Sequence, residues 1–407
     1  MTGDVSATRA TEAQSEGGFG PPSITLAALF LKFLCFGASA FGGPIAQIAM
    51  VRQALVEEEK WIDRGRFNRL LAVLQVLPGP EAHELCVHLG MIARGRMGGL
   101  LAGLGFMLPG LMLMLALGWA YVTWIAGAAG LSGVLLGIQL VALAIILRAI
   151  VRIGQHIVDD WLLGGIAVAG LVVTLAGVSF WIALATGGLA YALSHRPAVA
   201  TLLILAAIGL AGAVHIIALL EAAPIAINTP VTMAALFIAG LKGGLLTFGG
   251  AYTAIPYVRA DTVGRGWISD AAFLDGIALA GVLPAPLVIF ATFVGYIAGG
   301  LGGALAITAG MFLPAFAFSL IFFERLEAVV ENPALHRLLA GVAAAVVGVI
   351  AATFVQLAHA AVTRVTVPTV AIIMFAVALV AVWRVKSAWA TPAIIASGAF
   401  AGWAILT

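Results

Sequence analysis

The stretch "LPGPEAHE", Leu77–Glu84, interrupts an apolar run, with "LLAVLQV" (Leu70–Val76) before it and "LCVHLGMIA" (Leu85–Ala93) after it. Both flanks read as membrane-buried helix, yet the middle holds two prolines, a glycine, two glutamates and a histidine. Proline removes a helical hydrogen bond and clashes with the preceding turn, so a helix breaks here. What surrounds the break follows from composition. Of 407 residues, 63% are hydrophobic and 9% charged, with mean hydropathy +1.14. Lipid must solvate most of such a chain. Long unbroken apolar runs such as "LAGLGFMLPGLMLMLALGWAYV" (Leu101–Val122) exclude a β-barrel, whose strands alternate with period two. The expected fold is therefore all-α, a polytopic membrane protein with broken or re-entrant helices. A net charge of +2 argues against a nucleic-acid partner. Cys35 and Cys86 lie in apolar segments without a CxxC or Cys/His cluster and read as buried filler. Residues 1–22 read as a polar, disordered tail without the pattern of a signal peptide.

The break has a twin. "VLPGP" (Val76–Pro80) is echoed by "VLPAP" (Val282–Pro286), and "FGGPIAQIAMVR" (Phe41–Arg52) by "FGGAYTAIPYVR" (Phe248–Arg259). Trp61–Ile62 matches Trp267–Ile268, Gly90, Gly95 and Gly98 match Gly295, Gly300 and Gly303, and Leu108–Pro109 matches Leu313–Pro314. The offset narrows only from 207 to 205 residues over the block. Matched Gly, Pro, Trp and Arg in one order mark an internal duplication. The division is a first repeat over 23–196, a linker helix within 197–231 and a second repeat over 232–407. Hydropathy gives apolar segments near 26–41, 70–91, 100–124, 131–151, 161–178 and 179–194, one near 198–220, then 232–248, 273–298, 301–323, 335–357, 366–384 and 389–406. An even count followed by a single linker turns the second repeat upside down, the inverted-topology arrangement of many transporters. Lys and Arg choose the version. Stretch 52–69 holds Arg52, Lys60, Arg64, Arg66 and Arg69, and 94–96 holds Arg94 and Arg96; their counterparts hold Arg259 and Arg265, and none. With the first set cytoplasmic, Arg148, Arg152, Arg196, Arg325, Arg337, Arg384 and Lys386 also fall inside, and only Arg259, Arg265 and Arg364 outside. This favours a first pair of segments that enters and leaves on one side.

Broken helices survive in a membrane only where protein or a water cavity covers the break. Proline suits the first position of a helix, so Pro80 and Pro286 can each open a half-helix whose free N–H groups face the break. Such N-termini carry partial positive charge and bind anions. The candidate site therefore joins Gly42, Gly43 and Pro44, Pro78, Gly79 and Pro80, Gly249, Gly250 and Tyr252, and Pro284 with Pro286. Lys32, Arg52, Lys242 and Arg259 are candidate countercharges, and Ser39, Gln75, Thr247 and Thr253 further donors. Glu81, Glu84 and His88 share a helix face at i, i+3, i+7, whereas His83 points elsewhere. The second repeat has no titratable group at these places. Glu81, Glu84, His83 and His88 are thus proton-coupling candidates on one half only, because a carboxylate beside an anion site repels the anion unless protonated.

With these residues in view, the chain resembles the chromate ion transporter (CHR) family in its long, two-repeat form. The resemblance rests on "FGGPIAQIAMVRQALVEEEKWI", "LPGPEAHELCVHLG", "RMGGLLAGLGFMLPG", "LLTFGGAYTAIPYVR" and "GVLPAPLVIFATFVGY" and covers almost everything after the tail. It implies outward transport of the tetrahedral dianion chromate across the cell membrane, giving chromate resistance, coupled to protons or membrane potential, with sulfate as a natural competitor. Gln47 stands where many relatives carry His, and "EAHE" replaces a neutral polar run seen in others, although Glu directly after PGP also occurs. The expected function is a secondary chromate or oxyanion efflux transporter in the inner (cell) membrane, with a sulfate transporter or passive anion channel as the alternative. No metal-ligand cluster, phosphate loop, nucleophile elbow or cofactor motif points to an enzyme or an ATP-driven pump, and no cofactor is expected. Partners are the bilayer, the anion and, as a candidate assembly, a second copy in a homodimer.

Overall fold

The computed structural model describes residues 20–74, 79–126, 128–220, 229–247, 250–322, 333–365, 367–385, 387 and 390–406. Every regular element among them is helical. The first half holds α1 (Leu26–Ala38), α2 (Gly43–Arg52, prolonged by a π turn Gln53–Glu58), α3 (Arg64–Leu74), α4 (residues 81–93), α5 (96–120), α6 (Ser132–Ile157), α7 (Trp161–Leu175) and α8 (Phe180–Ala192). A single helix, α9 (Pro197–Leu220), leads to the second half. There α10 (Met233–Leu245), α11 (Ile255–Thr262, entered by a 3-10 turn Ala251–Ala254), α12 (Asp270–Val282), α13 (residues 290–298), α14 (301–317), α15 (Pro333–Val362), α16 (Pro368–Arg384) and α17 (Ala390–Ile405) follow in the same order.

The duplication extends to local chemistry. Thr25 Oγ1 caps α1 by accepting from Ala28 N at 3.2 Å, and Thr232 Oγ1 caps α10 from Ala235 N at 3.1 Å. Asp63 caps α3 through Arg66 N at 2.9 Å, and Ser269 caps α12 through Ala272 N at 3.2 Å. Each cap supplies an acceptor to an otherwise unpaired N–H of the first turn. The turn between α4 and α5 has φ/ψ of −145/31° at Arg94 and 61/−160° at Gly95. Its twin has −146/23° at Gly299 and 62/−156° at Gly300. Only glycine takes the second conformation without strain, which is why Gly95 and Gly300 match.

The breaks are tips of re-entrant hairpins. Lys32 on α1 pairs with Glu59 beyond α2, and Gly20 N donates to Lys60 O at 3.1 Å, so α1 and α2 run out and back. Lys242 on α10 meets Asp261 on α11 at 3.0 Å in the same way. His88 on α4 lies within electrostatic reach of Arg66 on α3, and a methyl on Gly276 of α12 would lie 2.7 Å from Phe293 of α13. The apolar segment read as 70–91 is thus two antiparallel limbs, α3 and α4. Residues 52–69, read as one loop, are helical to Glu58 and again from Arg64. The three arginines along α3, Arg64, Arg66 and Arg69, hide that helix from a hydropathy count. α4 then turns back on α5: Gly90 packs on Gly98, Gly295 packs on Gly303, and Thr292 and Thr308 share a hydrogen bond of 2.7 Å.

Among the described residues, five helical stretches are long and apolar enough to cross a membrane: Glu81–Ile125, Ser132–Ile157, Pro197–Val214, Leu287–Ile321 and His336–Val362. The first and fourth are hairpins whose longer limbs, α5 and α14, supply the length. The chain is a multi-pass membrane protein, and its outer helix faces carry Leu, Val and Trp side chains. Trp119 and Trp124 are 49% and 63% exposed near one end of α5, where an interfacial aromatic belt is expected.

The equivalent helices α6 and α15 run antiparallel. Gly154 lies against Val347, while Arg364, just past α15, reaches back to Gln139 near the start of α6 at 3.3 Å. Two equivalent helices pointing opposite ways are inverted repeats. The last two helices of each half are exchanged. α7 and α8 pack on α15 of the other half, and α16 and α17 pack on α6. Gly187 and Gly341 meet backbone to backbone in one seam, and Gly398 and Gly137 in the other. Such reciprocity is the signature of a two-fold relation, and the small residues let the backbones approach as membrane helices without a hydrophobic drive require. Of the cysteines, Cys86 is buried, but Cys35 lies on the exposed face of α1.

Candidate functional site

The four hairpin tips meet at one point. Pro44 and Gln47 come from the first tip, Pro80, Glu81 and Ala82 from the second, Gly250 and Ala251 from the third, and Pro286 and Leu287 from the fourth. They enclose about 10 Å³, room for a single water. Apart from Gln47, in the second turn of α2, each of these residues belongs to, or directly precedes, the first turn of a helical segment. Four N-termini therefore aim unpaired N–H groups and partial positive charge at one buried place. Gly42 (φ 87°) and Gly250 (φ 132°) hold the turns that make two of these starts.

Hydrogen bonds tie tips of opposite halves together. Gln47 is 1% exposed, and its Nε2 donates to Ala40 O and Ala285 O, each at 2.9 Å. Gly79 N donates to Thr247 O at 2.9 Å. Each second tip also leans on the long limb of the other half, Gly79 beside Ala315 of α14 and Ala285 against Gly110 of α5. The site is a seam between repeats, shared by both.

The acidic cluster on α4 lies at this seam. Glu81 lines the cavity and is 9% exposed. Glu84 is fully buried with neither oxygen hydrogen-bonded, and it packs against the backbone of Gly79. His83 turns away from them, as its position on the helix requires, and is fully buried, with the Gly103 backbone beside its ring. Phe312 and Phe316 of α14 meet its ring edge-on at 5.0 and 4.8 Å. His88 lies further along α4, toward Arg66.

Among the expected site residues, Gly79, Pro80, Pro44, Gly250, Pro284 and Pro286 lie at or beside the tips, with Gly42 and Gly43 at the first turn. Pro78 and Gly249 lie outside the described residues, as do Gln75, residues 1–19 of the tail, residues 221–228 of the linker, Arg325 and Lys386. The four expected countercharges are not brought to the cavity. Lys32 pairs with Glu59 and lies over the Trp61 ring, and Arg52 faces Glu57 at 3.5 Å. Lys242 holds Asp261, and Arg259 forks onto Asp270 at 2.7 and 3.0 Å and onto Gln356 at 2.6 Å. Each already has a carboxylate.

Two groups were missed by the sequence reading. Gln47 figured there only as a departure from a family pattern. Arg148, counted only for topology, is the half-buried cation in the middle of α6. It lies within electrostatic reach of Tyr252 beside the third tip, and its Nε is buried without a hydrogen-bond partner. Among the described residues no carboxylate pairs with it. A cation sixteen residues into an apolar membrane helix was the available signal. No group of three His, Cys, Asp or Glu among the described residues is placed to hold a metal ion.

The family profile described as "Chromate transporter" matches residues 27–210 and 234–403. The chain is similar to the "Chromate transport protein" of Pseudomonas aeruginosa, at 53% identity over 98% of this chain and 96% of that one. It is 30% identical to the "Probable chromate transport protein" of Synechococcus elongatus, over 94% of this chain and 96% of that protein. It is also 30% identical to the "Chromate transport protein" of Cupriavidus metallidurans, over 94% and 93% of the two chains. No solved structure matches.

Proposed function

Because the chain belongs to the chromate transporter family, we propose that it carries chromate across the membrane as a secondary transporter, binding the dianion where the four hairpin tips meet. The observation that carries this reading is the convergence of four helix N-termini on one buried seam between inverted repeats. Fixed N–H donors and dipoles suit a tetrahedral oxyanion of high charge, and they need no resident cation. Arg148 supplies a countercharge that no carboxylate among the described residues already claims.

The enclosed space is too small for a chromate ion, so this conformation is occluded and closed around the site. Alternating access would part the tips by rocking one repeat against the other, admitting the anion from one side at a time. The expected direction is outward across the inner membrane. An inside-negative potential favours it by about 4.6 kcal/mol per 100 mV for a dianion, at about 2.3 kcal/mol per charge. Glu81 adds proton dependence. Its ionised carboxylate repels the anion and its protonated form does not, so proton and anion favour each other's binding.

The test is uptake of labelled chromate into everted vesicles containing the protein, with and without a proton gradient, a potential and competing sulfate. Saturable uptake that sulfate reduces is expected. Absence of uptake under every condition would sink the reading, and saturable sulfate uptake indifferent to chromate would replace the substrate. Glu81→Gln is expected to flatten the pH dependence of the rate. A Glu81→Gln protein with an unchanged pH profile removes Glu81 from the coupling.

A further inference from the structure

A buried polar network lies away from the hairpin tips, and none of the chemistry above uses it. Asp275, on α12, is 1% exposed. Its Oδ2 accepts from the Tyr121 hydroxyl at 2.8 Å, and its Oδ1 accepts from Gln139 Nε2 at 2.8 Å. Gln139 is fully buried, and its Oε1 accepts from Arg364 at 3.3 Å. Arg364 is therefore the countercharge of Asp275, set one amide away. Tyr121 and Gln139 belong to the first half of the chain, Asp275 and Arg364 to the second. The Tyr121 ring is held against Phe293 of α13 at 4.9 Å between centroids.

The position is as telling as the contacts. Asp275 stands nine residues before Pro284, about 13 Å along a helix from the tip. In the other direction α12 starts at Asp270, where Arg259 and Gln356 close a half-buried polar patch. Tyr121 ends α5 near the exposed Trp119 and Trp124. Asp275 thus lies between the site and the membrane face that carries Arg259, Arg265 and Arg364. The helices packed around it are α6, α13, α15 and α17. Besides Tyr121 and Arg364, they and their flanks turn no other charged or titratable group to within hydrogen-bond or ion-pair distance of it among the described residues. On its own helix the nearest charge is Asp270, already paired.

We propose that Asp275 is a proton-binding site, loaded from the face on which Tyr121 and Arg364 lie, whose protonation unlocks the two repeats at that face. This rests on the chromate-transport reading. A proton on Glu81 favours the anion and travels with it, so it cannot draw efflux from an inward proton gradient. That requires a second proton position, filled when the anion site is empty. At Asp275 both donors and the Arg364 charge act on a carboxylate. A proton taken from water at that face leaves one donor without its acceptor and Arg364 without its countercharge. The four-residue bridge between the repeats then opens, and the proton is given up on the other side after the return step. The oxygens face donors, so the network is not built to coordinate a metal cation.

Asp275→Asn is a neutral mimic of the loaded state. In everted vesicles it is expected to keep chromate–chromate exchange at wild-type rates and lose the accumulation that an acid lumen drives. Asp275→Glu is expected to restore that accumulation, and Tyr121→Phe to shift its pH dependence. Wild-type acid-driven accumulation by Asp275→Asn would overturn the proposal. So would joint loss of exchange and accumulation in Asp275→Asn and Tyr121→Phe alike, because a proton site is not needed for exchange. Infrared difference spectra of the purified protein across a pH step give a readout free of chromate. A protonated-carboxyl band present in wild type and missing from Asp275→Asn is expected, and an identical band in both refutes the site. A wild-type protein that moves no chromate refutes the transport reading instead, and the infrared comparison still decides for Asp275.

Discussion

Gln47 offers a perturbation whose size follows from the geometry. Its amide donates two neutral hydrogen bonds of 2.9 Å, one to Ala40 O in its own tip and one to Ala285 O in the opposite half. Gln47→Leu keeps the bulk and removes both donors. Each abandoned buried carbonyl costs about 1–3 kcal/mol, or about 2–6 kcal/mol for the pair. Gln47 Oε1 is itself buried without a partner, and its removal returns about 1–3 kcal/mol. The net cost is about 1–3 kcal/mol. The bond to Ala285 exists only while the tips touch, so the cost falls mainly on the closed conformation and lowers its population by about 5- to 150-fold. The assay uses Ala82→Cys, a cavity-lining position that is 2% exposed, in a Cys35→Ser, Cys86→Ser background. Labelling by a membrane-impermeant thiol reagent is expected to speed up when Gln47→Leu is added. Gln47→Asn, too short to reach both carbonyls, should lie between. Equal labelling rates and equal unfolding temperatures with and without Gln47→Leu would refute the idea that this amide holds the halves closed.

Gly79→Ala would drive a methyl into the Glu84 carboxyl, so a loss of about 1–3 kcal/mol is expected in thermal unfolding. Glu84→Ala should relieve it, with a coupling of about 0.5–3 kcal/mol in the double-mutant cycle, and additive effects would contradict the contact. Arg259→Lys keeps the charge but loses the fork onto Asp270 and Gln356, and a drop of about 1–2 kcal/mol is expected for this half-buried cluster, read from the unfolding temperature. At the outer end of the first hairpin, hydrogen bonds from Arg64, with Arg52 behind, hold the Glu57 carboxyl below its ordinary range. A lowered folded-state value stabilises above the unfolded pKa and fades as pH falls through the folded one. Unfolding temperatures of wild type and Glu57→Gln should therefore differ at neutral pH and converge in acid, with convergence at neutral pH counting against the pairing.

The fold was legible wherever glycine and proline punctuate. "FGGP", "PGP" and "PAP" marked hairpin tips because a proline start and a flexible glycine have few other uses inside an apolar run. Arg94–Gly95 and Gly299–Gly300 marked turns for the same reason. α3 was not legible, since three arginines along it look like a loop to a hydropathy scale. At the site, the half-helix starts could be read, but not which residue neutralises what. Lys32 and Lys242 look alike to Arg148 in one dimension, each a cation in an apolar segment. Only packing reveals that Glu59 and Asp261 reach the lysines and that, among the described residues, Arg148 is left without a carboxylate. The two copies differ in this motif, Pro-Gly-Pro in the first and Pro-Ala-Pro in the second. In the first, the Glu84 carboxyl occupies the room that a side chain at residue 79 would need, while Phe290 stands at the matching place in the second half.

The exchange of terminal helix pairs sets a schedule for synthesis. α7 and α8 are made long before α15, the helix that Gly187 requires as its neighbour at Gly341. At about 5–20 residues per second, the intervening chain takes roughly 8–30 s to emerge. For that interval the first repeat sits in the bilayer with the small-residue stripes of α7 and α8 uncovered and its own α6 waiting for α16 and α17. Neither copy of the duplicated unit can finish alone. A ribosome that stalls in the linker would leave a half-molecule whose open seams fit only the missing half, or the same half of another chain.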